Sequence, residues 1–420
     1  MMNTRWIASL GLVALVLGCG DSDGDKSTGP DPQTQTIRIG LLTELADLWE
    51  PFGLPFERSA QLAISEINAS GGVLGRQLEL VSLHSTTDAD AVKANARTLI
   101  DSDVVAIVGP TFSEFFLVVA QDVSIPANML LISPSVTSAA VSDLEGDGLI
   151  WRTIASDALT GSVAGAYAHD TMGNQTAGIL FLDNIFGLGL AAAFEADFVA
   201  RGGQILAREA LPDLASADVA AYDYREHIDI VTADKPDVLF IATRESANDK
   251  ISIGLQSVFN EDYHAQLLTS ANRSDDWLTN ADPTVTEGMR GILAAPAVET
   301  AAFLGYASRL QAAYGIDPTL FADSVYDCIY LLALAIEQGT FSTSLAIGAN
   351  LQSVSVSGAT ILGNEFSRAR ELITAGSDID YVGASGPVDL NANGDVVSGN
   401  FSVWEIQNGR FVDTENISFP

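Results

Sequence analysis

Five small hydroxyls gather at two places where apolar runs end. The run at 104–108, VVAIV, stops at Gly109-Pro110. Thr111 and Ser113 follow, ahead of an apolar stretch through Phe115, Phe116, Val118 and Val119. The next apolar run ends as LLISPSVTS, which supplies Ser133, Ser135 and Thr137. Hydroxyls both donate and accept, and where a strand gives way to a helix they can cradle an anion of carboxylate size. Helix capping is the plainer use of the same residues, because Ser and Thr are common caps. Other chemistries have less footing. His84, His169, His227 and His264 are scattered, with no HExxH and no close pair, so no metal site is expected. There is no G-x-S-x-G elbow and no G-x-x-x-x-G-K-[ST] phosphate loop. No catalytic residues, no cofactor and no enzymatic activity are expected. Asp389, Asn391, Asn393 and Gly394 imitate the opening of a calcium loop, but Asn400 stands where a bidentate Glu is required. The Asn-Gly pair reads instead as a hairpin turn.

Composition bounds the partners. Acids outnumber bases 54 to 20, for a formal charge of −34, so nucleic acid is excluded as a partner. Such acidity reads as a well-solvated surface. With 420 residues, 47% of them apolar and 18% charged, the chain is globular and long enough for two or more domains. The N-terminus reads MMNTRWIASLGLVALVLGCG: Arg5, then an apolar core too short to span a bilayer comfortably, then Gly18-Cys19. These are the proportions of an export signal over 1–18. The segment that follows, DSDGDKSTGPDPQTQT, has no apolar residue to bury and reads as a flexible tether over 19–36. The other cysteine, Cys328, lies in the apolar helix VYDCIYLLALAIE and reads as a core residue.

The elements that must position the hydroxyls alternate. IRIGLL is a strand, residues 55–68 a helix, RQLELVSL a strand and 89–99 a helix. Residues 104–108 are a strand, a helix runs on to 127, and MLLIS is a strand. A second series opens after WRTIASD: strand TAGILFLD, helix LGLAAAFEADFVARGG, then strands QILAREAL, DVLFIAT and AQLLTS. The helix ADSVYDCIYLLALAIEQG and a tail rich in Gly and Asn complete the chain. Repeated β-α-β predicts parallel sheets covered by helices on both faces, in two similar halves. In such sheets ligands lie at the C-terminal ends of the strands, which is where the hydroxyls stand.

The motifs IRIGLLTEL, AISEINASGGVLGRQLELV, VVAIVGPTFS, LLISPSVTS and WRTIASD come in that order, followed by LFLDNIFGLG, ADSVYDCIYLLALAIE and GASGPVDLNANGD. In that order and spacing the chain resembles the type I periplasmic binding proteins of the branched-chain amino-acid (Leu/Ile/Val) family, the substrate-binding lipoproteins of ABC importers. The resemblance covers about 37–413. It implies an α/β fold of two Rossmann-like lobes with parallel central sheets, joined by a three-crossover hinge. The N-terminal lobe would be 37–155 with 297–390, and the C-terminal lobe 156–296 with 391–420. It implies lipidation of Cys19, in a lipobox-like VLGC; an incidental cysteine after an ordinary secretory signal is the alternative. It further implies an extracytoplasmic monomer, touching membrane only through its lipid and handing a small molecule to an ABC permease. A sensor reporting to a membrane signalling partner is the rival role.

The resemblance also implies site residues. Ser113 matches the serine that binds the ligand carboxylate, and Ser135 and Thr137 match the loop that binds carboxylate and ammonium. Phe52 matches an aromatic packing on the ligand side chain, with Trp49 in the same loop. Phe186 stands where the family motif usually has tyrosine. Arg244 and Asn272 stand where amino-acid binders often place an aromatic and an acid, with Asp275 and Asp276 a few residues late. On this reading an ammonium lacks its anion, and Arg244 would suit a second carboxylate unless it is a surface or hinge ion-pair residue. For the anchor the expected outcome is direct: Cys19→Ser leaves the protein unlipidated and released from the membrane fraction. A variant that stays bound through high salt and carbonate washing would exclude Cys19 as the anchor.

Overall fold

The computed structural model describes residues 36–44, 50–214, 216–219, 221–243, 245–270, 275–294 and 298–419, with backbone alone at 50–52, 216, 217, 245, 246, 249 and 275–277. The signal, the tether and Cys19 lie outside these residues. Five strands form the first sheet: β1 (Ile37–Glu44), β2 (Leu78–Ser85), β3 (Val104–Val108), β4 (Leu130–Ser133) and β5 (Ile150–Arg152). Their order is β2-β1-β3-β4-β5 and every pairing is parallel. Near-continuous apolar runs such as VVAIV are what a sheet buried on both faces requires. One face packs Ile39, Leu41, Ala106 and Ile132 against helix α1 (Glu50–Ala69) and the helix Ala322–Gly339. The other packs Leu42, Ile107 and Leu131 against α2 (Ala89–Asp101) and α3 (Ser113–Val119). Cys328 is fully buried in the first of these cores.

The second sheet takes β6 (Thr176–Leu182), β7 (Gln204–Leu211), β8 (Val238–Ala242), β9 (Gln266–Thr269) and β10 (Arg290–Ala294). After a small sheet of β11 (Ala359–Leu362), β12 (Ile379–Gly383) and β13 (Gly386–Pro387), it gains the antiparallel pair β14 (Gly399–Gln407) and β15 (Arg410–Phe419). The order is β15-β14-β10-β9-β8-β6-β7. Helices α4 (Asp157–Ala166) and α5 (Ile185–Ala200) cover one face through Val163, Leu190, Phe194 and Phe198. The two helices touch closely, because a Cβ on Gly161 would lie 2.6 Å from Leu190 O. The chain passes to the second sheet after Arg152, returns after Ala294, and crosses again between Pro387 and Gly399.

The differences from expectation lie at element ends and in the tail. α1 starts at Glu50 rather than near 55, and Pro55 sits inside it. Pro55 forfeits only the bond to the carbonyl four residues earlier, so the helix runs through it. The helix from Ser113 does not continue regularly to 127, since a wider π turn, Ala120–Ser124, follows Val119. α5 begins three residues before the expected 188, capped where Asn184 Oδ1 accepts from Gly187 N–H at 2.9 Å. Strands β10, β11, β12 and β15 were not foreseen, whereas β14 falls in VVSGNFSVWEI, the segment that follows the expected hairpin turn. The Asn-Gly turn is present: Leu390 and Val396 form an antiparallel bridge around Gly394, whose φ is +84°.

One buried cation holds the crossings. Arg152, fully buried, donates through Nε to Asp395 Oδ1 at 2.8 Å and through Nη1 to Ser138 O at 2.8 Å. Its Nη2 donates to Ser142 Oγ at 2.7 Å, and its backbone N–H to Gly394 O at 2.9 Å. Asp395→Ala strands this guanidinium, so unfolding in urea should show a loss of about 3–5 kcal/mol. Glu79→Ala breaks the exposed pair with Arg38 and should cost less than about 1 kcal/mol. Equal losses at the two sites would contradict this account.

Candidate functional site

The strand ends of the first sheet carry the hydroxyls on a shaped turn. Gly109 has φ +99°, and a Cβ there would lie 2.0 Å from Leu42 O, so only glycine lets β3 end against β1. The peptide Gly109-Pro110 is cis. Ser133 is buried and its Oγ donates to Pro110 O at 2.9 Å. Ser113, Ser135 and Thr137 are half-buried, so each keeps some exposed surface. None of them caps α3, whose N-cap Phe112 makes no side-chain cap bond. Ser135 Oγ donates to Thr111 O at 2.8 Å and so links the two hydroxyl loops. Ser113 Oγ accepts from Ser138 N–H at 3.4 Å, a longer contact in the same sense.

Two carboxyls stand among these hydroxyls, and the sequence reading missed both. Glu44, at the end of β1, is 1% exposed, and its Oε2 accepts from Thr111 N–H at 2.9 Å and from Thr111 Oγ1. Its Oε1 is buried with no partner. Burial outweighs those hydrogen bonds and pushes its pKa up to about 7. Asp157, the first residue of α4, is 5% exposed; its N–H donates to Thr137 O at 2.7 Å. Its carboxyl is pushed up to about 6 by burial, against the pull of a Thr137 side-chain hydrogen bond and the charge of Arg152. Asp157 Oδ2 is buried without a partner. The signal for Glu44 was an acid closing an apolar strand. Asp157 read as an ordinary acid in a first helical turn.

The second sheet meets this edge through α5. A Cβ on Gly189 would lie 3.3 Å from Ala139 Cβ, so the first half of α5 abuts the segment that follows Thr137. Gly187 allows that helix to start directly on β6, because a Cβ there would lie 2.2 Å from Leu182 O. Phe186 is half-buried against the second-sheet core. Trp49, Arg244 and Asn272 lie outside the described residues, as do the side chains of Phe52, Asp275 and Asp276. At the ends of β8 and β9 the sheet offers groups the sequence reading passed over. Thr243 Oγ1 donates to Asn248 Oδ1 at 2.7 Å, while Asn248 Nδ2 and Ser270 Oγ are buried without partners. Among the described residues, no group of three His, Cys, Asp or Glu could hold a metal ion, and no single helix is long and apolar enough to cross a membrane.

Comparison with known proteins agrees with this architecture. The periplasmic binding protein family matches residues 36–385. The sequence is 29% identical over 356 residues to the chemotactic signal transduction system substrate-binding protein BasB of Halobacterium salinarum, covering 82% of this chain and 80% of that protein. It is 31% identical over 156 residues to the leucine-, isoleucine-, valine-, threonine-, and alanine-binding protein of Pseudomonas aeruginosa, covering 37% of this chain and 41% of that one. The fold is similar to an ABC transporter substrate-binding protein from Desulfitobacterium hafniense in complex with Leu, with a TM-score of 0.67, 23% identity, and coverage of 90% of this chain and 100% of that one.

The buried carboxyls make stability depend on pH with a definite sign. Folded Glu44 keeps its proton up to about 7, whereas the unperturbed carboxyl loses it near 4.5. The native state therefore binds the extra proton between those values, and its contribution is lost as pH rises through that window. Glu44→Gln has no proton to lose. The melting temperature of the native chain, measured relative to Glu44→Gln, should fall as pH goes from about 4.5 to about 7. A difference that stays flat over that window would mean Glu44 is ionised throughout.

Proposed function

The chain belongs to the type I periplasmic binding protein family, and from that premise we propose that it is a lipid-anchored, extracytoplasmic protein that captures a small amino acid between its two lobes. The observation that carries this reading is the pairing of Thr137 with Asp157. Half-buried hydroxyls that suit a carboxylate stand beside a buried acid with an unpaired oxygen. An α-amino acid brings both complements on adjacent atoms. A ligand with a carboxylate alone would set its charge against Asp157, or require that group to hold its proton. The expectation of a missing anion for the ammonium considered the second lobe alone; Asp157 supplies one from the first helix beyond the crossing.

In this reading Ser113, Ser135 and Thr137 take the carboxylate and Asp157 takes the ammonium. Trp49, Phe52 and Phe186 pack on the ligand body, and Arg244 and Asn272 set selectivity from the second lobe. The lobes are 37–155 with 297–390 and 156–296 with 391–420, closing about the crossovers as hinged binding proteins do. Cys19 carries the lipid, and the loaded protein docks on an ABC permease as a monomer. A signalling role is the second reading, favoured by the relative named for chemotactic signal transduction, whose alignment spans 82% of this chain.

A thermal-shift screen of the full chain against amino acids and against carboxylates lacking the amine tests the reading. Amino acids should raise the melting temperature more than their deaminated counterparts. Asp157→Asn should erase that preference. Ser113→Ala and Thr137→Val should each weaken binding of the preferred ligand by about tenfold or more, since a hydrogen bond to a charged group is worth roughly 1.5–3 kcal/mol. Equal response to both ligand classes, unchanged in Asp157→Asn, would defeat the amino-acid assignment.

A further inference from the structure

A cradle for a carboxylate must donate protons, yet four of the five hydroxyls have given theirs to protein acceptors. Ser133 Oγ donates to Pro110 O and Ser135 Oγ to Thr111 O. The Thr137 side chain donates to Asp157, and Thr111 Oγ1 donates to Glu44 Oε2. What these oxygens have left to offer is lone pairs, which repel an anion. Two of the four acceptors are main-chain carbonyls, which hold the same protons at any ordinary pH. The other two are carboxyls, which can gain a proton of their own. Asp157 faces the ligand ammonium in the reading above, which leaves Glu44.

Glu44 ends β1 on the strand edge where the hydroxyls stand. Its Oε2 receives both the N–H and the hydroxyl of Thr111, so it fixes that residue by main chain and side chain together. Thr111 is half-buried and carries the carbonyl to which Ser135 is bonded. Glu44 Oε1 is buried without a partner, and no cation offsets the carboxyl among the described residues. The titratable groups on the neighbouring elements are engaged elsewhere. On β2, neutral Ser85 stands opposite Glu44 in register, and His84 before it is bonded to Thr43 and lies 3.4 Å from Glu57 of α1. Asp88 caps α2, Asp90 pairs with Lys93, and Glu114 of α3 is exposed. Across the cradle, Arg152 is paired with Asp395.

We propose that Glu44 is the positioning residue of the cradle, and that its proton decides which way the Thr111 hydroxyl points. Ionised, Glu44 takes the Thr111 hydroxyl proton, and Thr111 offers a ligand only lone pairs. Protonated on Oε2, Glu44 donates to Thr111 Oγ1 instead. The Thr111 proton then turns to a ligand carboxylate, and the like charge beside that carboxylate is gone. The proton gained by Glu44 comes from solvent, so capturing a carboxylate draws one in wherever Glu44 is otherwise ionised. This rests on the reading of the hydroxyls as the seat of a ligand carboxylate. Burial pushes the Glu44 carboxyl up to about 7, which brings the exchange within reach of ordinary conditions.

Calorimetry of the full chain with L-leucine, in phosphate and in Tris at about pH 8, counts the protons exchanged on binding. The native protein should take up about one proton. Its apparent Kd should rise about fivefold from pH 7 to pH 8, as the protonated fraction of Glu44 falls. Both effects should vanish in Glu44→Gln, which stays neutral; a purely structural glutamate would leave the proton count unmoved. Without ligand, the Thr111 amide resonance, identified by its loss in Thr111→Val, should titrate with a midpoint of about 7 and stay fixed in Glu44→Gln. Below about pH 6 an ammonium should instead expel a proton from Asp157. Loss of that release in Asp157→Asn reports on the amino-acid reading separately. If L-leucine does not bind, or Glu44→Gln does not fold, the Thr111 titration of the native chain decides alone. A Thr111 resonance that does not move through neutral pH would overturn the proposal. So would leucine binding without proton uptake at about pH 8, or uptake that persists in Glu44→Gln.

Discussion

The guanidinium of Arg152 is the constraint on which the site depends. A buried charge must find partners for its donors, or the cost is severe. Arg152 finds them in the Ser138 carbonyl, the Ser142 hydroxyl and Asp395. The first two lie on the segment that continues from Ser135 and Thr137. The third lies on the last crossing between the sheets. One side chain therefore fixes the end of β5, the hydroxyl loop and the last crossing together. Its charge also draws the Asp157 pKa downward, although burial wins. The hydroxyl loop is thus a braced structure, with its geometry set before any ligand arrives, which lowers the ordering cost of binding.

The electrostatics of the cleft follow from that bracing. The hydroxyls do not cap α3; they link loops and leave part of their surface exposed. The acids beside them are buried where charge is expensive, so each is biased toward holding a proton. A chain with formal charge −34 gains little from adding another bare anion to such a place.

Much of the fold was legible in the sequence, because burial on both faces writes a simple local pattern. VVAIV and TAGILFL are strands, and the helices between them carry apolar faces at helical spacing. The legible part thinned where local signals conflict. Pro55 looked like a helix start and lies inside α1, because one lost hydrogen bond is outweighed by Phe56, Ala60 and Ile67 packing into the core. The strand RGILA is short and follows a break, and β15 lies on an edge with mostly exposed residues, so neither stood out; in the tail the Asn-Gly turn signalled only the segment that holds β14.

By itself the sequence determined the α/β alternation, the two rows of hydroxyls at strand ends, and the order of motifs that marks the family. All of these are encoded within about one element's length, where period and propensity act. Tertiary structure alone decided which groups those hydroxyls meet. Thr111 and Glu44 are separated by 67 residues, and Arg152 and Asp395 by 243. No local pattern distinguishes an acid that will be buried against a hydroxyl from one that caps a helix in water. That difference is a matter of desolvation, which exists only once the sheets have closed over the chain.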